Sequence, residues 1–236
     1  MAVITISRQY GSGADEIAGR VCEALGYRTF DKRLIARAAA EAGISAQEAI
    51  DYSEENYKVK GFLDRLFSRS TPVAQVRVWR EDPSGTRSTE DLSLSEDAAL
   101  SLVQHAIRSA YEAGNVVIMG RGGQALLKDK PGVLHIRLEA PLEERIQRVK
   151  ERFKESRHLF QADIEIRREA QDYIVQRDQA SEDYLRHYYD IDWTDSLQYH
   201  MILNTGKLSI DQAVEMIVTL ARQMDKELQP AHPVQA

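Results

Sequence analysis

Residues 3–25, VITISRQYGSGADEIAGRVCEAL, decide the fold class. Residues 3–6 form a short apolar run of β-strand character, which stops at a turn containing Gly11 and Gly13. Between residues 14 and 25 the apolar side chains return at helical spacing. The stretch therefore predicts a strand, a loop and a helix, in that order.

The same succession recurs further along the chain. Apolar runs at residues 116–119, 133–138 and 201–203 predict more strands, and amphipathic helices longer than the strands lie between them. Ser209 and Gln212 have the spacing of a capping box, which predicts that the last helix begins there. Short apolar strands that alternate with longer helices are typical of a parallel sheet covered on both faces. We therefore predict an α/β protein with three layers, α/β/α, around a central parallel sheet.

Three segments depart from this alternation within a single predicted domain, 1–236. Residues 51–92 are polar and are interpreted as an insertion, with a hairpin in which residues 73–79 turn back at residues 82–85. Residues from about 145 to 192 are rich in charge and tyrosine, which predicts long, solvent-exposed helices over the sheet edge. Residues 229–236 hold two prolines and are expected to fray.

Composition restricts the function classes. The chain has 236 residues and a formal net charge of -6, which argues against broad attraction to nucleic acid or to an anionic membrane. Its single cysteine, Cys22, excludes an internal disulfide and a multi-cysteine zinc site. The N-terminus lacks the apolar stretch of a signal peptide, so we expect a cytoplasmic protein. Homo-oligomerisation stays open.

The glycine-containing loop has two interpretations. It lies between the first strand and the first helix, where α/β nucleotide-binding proteins place backbone N–H groups and a helix N-terminus around a phosphate. The full phosphate-loop motif also has a lysine and a serine or threonine, and the residues at those two positions, 14 and 16, are of neither type. The glycines alone are equally well explained as the turn that joins a strand to a helix.

Five sequence blocks resemble, in the same order, those of the cytidylate kinase-like family. The blocks are ITISRQYGSGADEIA (4–18), LGYRTFDKRLI (25–35), VVIMGRGGQALL (116–127), HIRLEAPLEERIQRV (135–149) and YHMILNTGKLSIDQAV (199–214). The resemblance implies a fold of the P-loop nucleoside monophosphate kinase superfamily, with residues 51–92 as the acceptor-binding insertion and residues 145–192 as a helical lid. It also implies transfer of the γ-phosphate of ATP, with Mg²⁺, to CMP, dCMP or a related nucleoside monophosphate.

The donor site follows from that resemblance. Alignment with the first strand of a standard nucleoside monophosphate kinase places Ala14 at the loop lysine and Glu16 at the hydroxyl residue, and these departures resemble those typical of the cytidylate kinase-like family. We hypothesise that Glu16 helps to hold Mg²⁺ and that Arg8 offsets the missing lysine charge; the simpler alternative is that the carboxylates only interact with the helix dipole. The donor-site candidates are Arg8, Gly11, Ser12, Gly13, Ala14, Asp15 and Glu16.

The acceptor site also follows from the resemblance. Arg121 follows a strand in an open α/β sheet, at the strand end where such sheets bind ligands, and a planar guanidinium can donate two hydrogen bonds to one phosphate. The residue after it is Gly122, where cytidylate kinase has an acidic side chain. The resemblance adds Asp31, Arg37 and Asp178 as acceptor-binding candidates; Asp31 is equally suited to capping a helix.

Arg145 and Arg148 match arginines at the start of the family's lid helix and join Arg121 as catalytic candidates. Converging guanidinium groups stabilise the charge that phosphoryl transfer spreads over oxygen atoms. Neighbouring carboxylates leave a solvated helix face as the alternative. Two further functions remain open: a nucleotide-binding sensor or assembly protein without catalysis, and a kinase for a different small acceptor.

Overall fold

The computed structural model describes residues 2–30, 34, 74–81, 87–94, 96–157 and 163–228. The predicted sites Asp31 and Arg37 lie outside these residues, as do most of the predicted insertion and the tail at 229–236. The strands are β1 (Val3–Arg8), β2 (Arg28–Thr29), β3 (Ala74–Glu81), β4 (Arg87–Leu94), β5 (Val116–Met119), β6 (Val133–Glu139) and β7 (Met201–Asn204). The helices are α1 (Ala14–Leu25), α2 (Glu96–Ala113), α3 (Gly123–Leu126), α4 (Leu142–Arg157), α5 (Asp163–Tyr189) and α6 (Ile210–Leu228), with a short 3-10 helix at Ser196–Gln198.

Five strands form a parallel sheet in the order β2-β5-β1-β6-β7. β1 is central, and its residues Val3, Ile4 and Ile6 are almost completely buried because helices cover both faces. The strands predicted from apolar runs are confirmed. The apolar pattern missed β2, whose two residues, Arg28 and Thr29, are both exposed.

Two apolar clusters lie between the sheet and the helices, one on each face of the sheet. On one face, α1 and α6 pack against alternate residues of the central strands, including Ile4, Ile6 and Ile136. On the other face, α2 packs against Val3 and Ile118. Alternate strand residues point to opposite faces, so one strand supplies both clusters. The predicted three-layer α/β/α class is confirmed.

The capping box is also present at the start of α6. The Ser209 N–H donates to the Gln212 side chain at 2.9 Å, and the Gln212 N–H donates to the Ser209 hydroxyl at 3.2 Å. These reciprocal bonds satisfy two N–H groups that the helix itself cannot pair.

β3 and β4 form a separate two-stranded antiparallel sheet, with Ala74 opposite Leu94 and Glu81 opposite Arg87. This confirms the hairpin predicted within the insertion, and β3 extends two residues beyond the predicted strand. The turn between the two strands lies outside the described residues.

The charge-rich segment forms two long helices, but they are not simply solvent-exposed. α4 and α5 pack on each other through a third cluster, in which Ile146, Phe153, Ile166 and Ile174 are buried. Tyr10, from the loop after β1, packs against the same cluster. The apolar face of α5 is narrow, because its buried positions are spread among many charged ones, and the sequence pattern therefore hid it.

Candidate phosphate-binding site

The loop between β1 and α1 lies at the carboxyl end of the central strand. Gly11 and Gly13 both have φ 81°, in the left-handed region that favours glycine. Gly13 is also the residue that precedes α1, and no side chain of the described residues caps the helix there. The first N–H groups of α1 therefore lie at the loop without a side-chain acceptor, an arrangement that suits an anion.

Close packing is a second reason for glycine in this loop. A Cβ on Gly11 would lie 3.1 Å from the Cβ and the carbonyl oxygen of Arg145, and one on Gly13 would lie 3.0 Å from Cδ1 of Ile210. α4 and α6 thus lie directly against the loop. Gly11 and Gly13 therefore allow the close packing between strand and helix, in addition to any role in ligand binding.

Ser12 lies between the two glycines and is completely buried. Its N–H donates to the Gln9 carbonyl at 3.2 Å. Its hydroxyl oxygen is buried and has no hydrogen-bond partner among the described residues. A buried hydroxyl without a partner costs free energy, which a bound oxyanion would recover.

Arg145 and Arg148 extend from α4 to the backbone of this loop. Nη1 of Arg145 donates to the Tyr10 carbonyl at 3.3 Å, and Nη1 of Arg148 donates to the Gly11 carbonyl at 3.3 Å. Arg145 is buried, and its Nε finds no acceptor in the described part of the chain. The predicted catalytic pair therefore lies at the loop and not on a solvated helix face.

Asp178 connects α5 to the same loop. Its carboxylate accepts from the Tyr10 N–H at 2.7 Å and forms an ion pair with Arg145. Burial raises the pKa of the Asp178 carboxyl, and the Tyr10 N–H and the Arg145 guanidinium oppose that rise. These contacts hold the loop, so the acceptor-binding role of Asp178 stays a prediction.

Arg121 comes directly after Gly120, the first residue beyond β5, and β5 pairs with β1. Its φ of 57° is unusual for a residue other than glycine, and such backbone strain is concentrated at functional sites. Its Nη1 donates to the Met119 carbonyl at 3.4 Å, and its guanidinium carbon lies 5.5 Å from the centre of the Phe30 ring. The side chain is thus held at the carboxyl edge of the sheet, on the opposite side of β1 from β6.

The Tyr189 ring explains why a glycine follows Arg121. Gly122 has φ 69°, and a Cβ there would lie 2.3 Å from Cε2 of Tyr189. Tyr184, earlier on the same helix, is completely buried in a cluster with Leu185 and Trp193. This tyrosine packs within the protein, and the tyrosine-rich end of α5 leaves no room for an acidic side chain after Arg121.

The first turn of α1 carries the remaining donor-site candidates. Asp15 and Glu16 are exposed, and each lies 3.5 Å from an arginine: Asp15 from Nη2 of Arg152, Glu16 from Nη1 of Arg20. Arg8 is half-buried at the end of β1, opposite Leu138. Within the described ranges there is no cluster of three His, Cys, Asp or Glu side chains suited to a metal ion.

Two residues at this edge were not predicted from the sequence, Thr205 and Arg137. Thr205 follows β7, is buried, and contacts both the loop and Arg148. Arg137 in β6 is 1% exposed; its guanidinium lies 4.3 Å from the Trp193 ring and donates to the Trp193 carbonyl. A charged residue inside the apolar run VLHIRLE was the available signal for Arg137. For Thr205 the only signal was its position after a strand.

The strand order and the glycine loop at the end of the central strand define a three-layer α/β protein with its candidate site at the carboxyl edge. The model of the cytidylate kinase-like family matches residues 3–207, so the chain belongs to that family. It is 31% identical over 153 residues to a cytidylate kinase of Serratia proteamaculans (strain 568), a match that covers 62% of this chain and 66% of that one. A cytidylate kinase of Edwardsiella ictaluri (strain 93-146) is 30% identical over 153 residues, covering 62% and 67% of the two chains.

A solved structure extends the comparison over more of the chain. The crystal structure of an uncharacterised protein from Eubacterium ventriosum ATCC 27560 superposes with a TM-score of 0.61 and 17% identity. It covers 94% of this chain and 99% of that one, which shows a shared fold. Separately, the described helices include none that is both long and apolar enough to cross a membrane.

Proposed function

We propose that this protein is an ATP-dependent phosphotransferase that acts on CMP, dCMP or a related nucleoside monophosphate. The observation that carries the proposal is the loop after β1, where the Ser12 hydroxyl is buried without a partner among the described residues and the N-terminus of α1 has no side-chain cap from them. Membership of the cytidylate kinase-like family supports it. The family's name gives the acceptor class, and the loop gives the chemistry that would bind phosphate.

The residues of the loop fit the phosphates of ATP. The N–H groups of Gly11, Gly13 and the first turn of α1 would donate to phosphate oxygens, together with the Ser12 hydroxyl. Mg²⁺ is commonly bound through one or two carboxylates together with substrate phosphates. Glu16, and next to it Asp15, are the carboxylates at this end of α1 that would supply such ligands.

In the proposed reaction, this protein would position the two substrates and stabilise the charge of the transition state. In phosphoryl transfer to a nucleoside monophosphate, an acceptor phosphate oxygen attacks the γ-phosphorus, so the protein needs no nucleophile. Arg121, together with Arg37, would hold the acceptor phosphate, with Asp31 and Asp178 as further acceptor contacts. Arg145 and Arg148, already at the loop, would offset charge on the transferred group.

A specific observation supports a second candidate, a nucleotide-binding sensor or assembly protein without catalysis. Ala14 occupies the position of the lysine in the full phosphate-loop motif, and it is buried. In addition, Arg145 and Arg148 already donate to loop carbonyls. A sensor would bind ATP saturably and show no turnover with any acceptor.

Coupled ADP release tests the proposal. The assay uses ATP and Mg²⁺ with CMP, dCMP, UMP, AMP and GMP in turn, and a mutant pair: Arg121→Ala, and Arg108→Ala on the exposed surface of α2 as the matched control. Loss of a charged hydrogen-bond partner costs about 1.5–3 kcal/mol, so kcat/KM for CMP should fall about 10- to 100-fold in Arg121→Ala and stay unchanged in Arg108→Ala.

Two results would contradict the proposal. ATP binding without turnover on the whole panel would favour the sensor. Stimulation of ADP release by a different phosphorylated or hydroxylated compound, with CMP inert, would favour a kinase for another small acceptor.

A further inference from the structure

Side chains from outside the phosphate loop hold three consecutive carbonyls of that loop. Arg145 donates to the Tyr10 carbonyl and Arg148 to the Gly11 carbonyl, each at 3.3 Å. Oγ1 of Thr205 donates to the Ser12 carbonyl at 2.7 Å. We call these three side chains the carbonyl clamp. They come from α4 and from the end of β7, which lie far from the loop in the sequence.

Thr205 is the member of the clamp that is fixed to the sheet. It is 3% exposed, and its N–H donates to the Glu139 carbonyl at the end of β6 at 2.8 Å. Its Oγ1 lies nearer to the Ser12 carbonyl, at 2.7 Å, than to the Glu139 carbonyl, at 3.2 Å, so the single hydroxyl hydrogen is directed to the loop.

Thr205 also holds Arg148 in place. Its hydroxyl accepts from Nη1 of Arg148 at 3.1 Å, and its carbonyl accepts from Nη2 at 2.7 Å. Because a guanidinium is planar and its donors are fixed, two bonds to one residue set its orientation. Nη1 of Arg148 lies 3.8 Å from the point where a Cβ of Gly13 would lie. A positive charge is therefore held beside the loop, although Ala14 supplies none.

The clamp also orients a loop N–H group. In a planar trans peptide the C=O of one residue and the N–H of the next point in opposite directions. The hydrogen bond from Thr205 to the Ser12 carbonyl therefore turns the Gly13 N–H to the opposite side of the loop. The Ser12 N–H is already bonded to the Gln9 carbonyl, at 3.2 Å, so the Gly13 N–H is the donor that this contact orients. Successive N–H groups on one side of a loop form an anion-binding concavity.

We propose that Thr205 is a positioning residue, whose hydroxyl and carbonyl orient the Ser12–Gly13 peptide and Arg148 toward the phosphates of a nucleotide. This inference rests on the proposed function for the identity of the ligand. Thr205 itself does not touch the reacting atoms. The orientation of the loop is a property of the free protein and is measurable without a ligand.

Three variants separate this role from a general role in stability. Thr205→Val keeps the shape but removes the hydroxyl, and Thr205→Ser keeps the hydroxyl. Thr5→Val is the matched control. Thr5 is also buried, and this substitution removes its hydrogen bond to His135, which lies away from the loop. If Thr205→Val does not fold by circular dichroism, Thr205→Ala removes the same hydroxyl with a smaller side chain.

The measurements are hydrogen–deuterium exchange of the loop amides in the free protein, the Kd for ATP by calorimetry, and kcat and KM in the coupled assay. In Thr205→Val, we expect faster exchange in the loop and an ATP Kd raised about tenfold, since bonds to a charged group are lost. KM for ATP should rise more than kcat falls. Thr205→Ser should stay within about threefold of the wild type, and Thr5→Val should leave loop exchange and Kd unchanged.

The outcomes separate the two claims. Unchanged loop exchange and ATP affinity in Thr205→Val would overturn the positioning role, even in an active kinase. Equal defects in Thr205→Ser and Thr205→Val would overturn it too, because the hydroxyl would not matter. ATP binding by the wild type without turnover would refute the kinase function, while the expected exchange and Kd pattern would still support the role of Thr205.

Discussion

At the scale of single residues, Gly122 shows how the fold restricts the chemistry next to Arg121. Its φ of 69° already disfavours a side chain, and a Cβ would lie 2.3 Å from the Tyr189 ring. We expect Gly122→Ala to lower the free energy of unfolding by about 1–3 kcal/mol, through strain and overpacking together. Urea denaturation measures the difference.

Gly19→Ala is the control for that substitution. Gly19 lies within α1 and is exposed, and a Cβ at this position would meet no atom within 4 Å outside its own stretch of helix. Alanine there should therefore stabilise the helix by about 0.5–1 kcal/mol. The double variant Gly122→Ala/Tyr189→Ala should remove the steric part of the Gly122 defect and keep the backbone part. If Gly122→Ala is as stable as the wild type, the close contact with Tyr189 is not a constraint.

Whether the role of a single residue can be predicted from the sequence depends on whether its contacts are with residues nearby in the chain. The candidate loop could be located because it follows an apolar strand closely, and the capping box could be located because its partners are three residues apart. Thr205 and Ser12 are 193 residues apart, and no local pattern in either segment predicts their hydrogen bond. Arg121 and Arg145 were singled out through the family resemblance, which did not predict the contact of Arg145 with the loop.

At the scale of elements, the packing of α4 on α5 is coupled to the phosphate loop. Ile174 is completely buried in their shared cluster, and Tyr10 packs against that cluster, with its ring 5.2 Å from that of Tyr173. We expect Ile174→Ala to cost about 2–5 kcal/mol of unfolding free energy, as large-to-small core substitutions do. Because Tyr10 loses part of its support, amide exchange in the loop should also accelerate.

The neighbouring residue provides the element-scale control. Val175 is 54% exposed on the same helix, so Val175→Ala should change stability by less than about 0.5 kcal/mol and leave loop exchange unchanged. Destabilisation in Ile174→Ala without any change in loop exchange would contradict the coupling. The charge pattern predicted that α4 and α5 are solvent-exposed. That pattern was misleading because charged positions on the two helices outnumber the buried positions through which they pack on each other.

At the scale of the whole molecule, the buried His135 makes stability depend on pH. His135 in β6 is 3% exposed, its Nδ1 is 2.7 Å from the Thr5 hydroxyl, and its ring stacks 5.2 Å from that of His200. Burial, followed by the nearby His200, lowers the pKa of His135 from 6.5 to about 4. The folded protein therefore holds this imidazole neutral at pH values where the unfolded chain protonates it.

The sign of the pH effect follows from that difference. Between pH 6.5 and about 4 the unfolded state binds one more proton than the folded state at His135, so acidification lowers the free energy of unfolding. The slope is about 1.4 kcal/mol per pH unit, or about 3 kcal/mol over the whole window, and the contribution is fully present above pH 6.5.

Urea denaturation between pH 5 and 8 should show this slope in the wild type and in His105→Gln, a substitution on the exposed face of α2. His135→Gln should be less stable at pH 8 and should lose the slope, because glutamine has no proton to bind there; an unchanged slope would mean that other groups, and not the core of the sheet, set the acid sensitivity of the molecule.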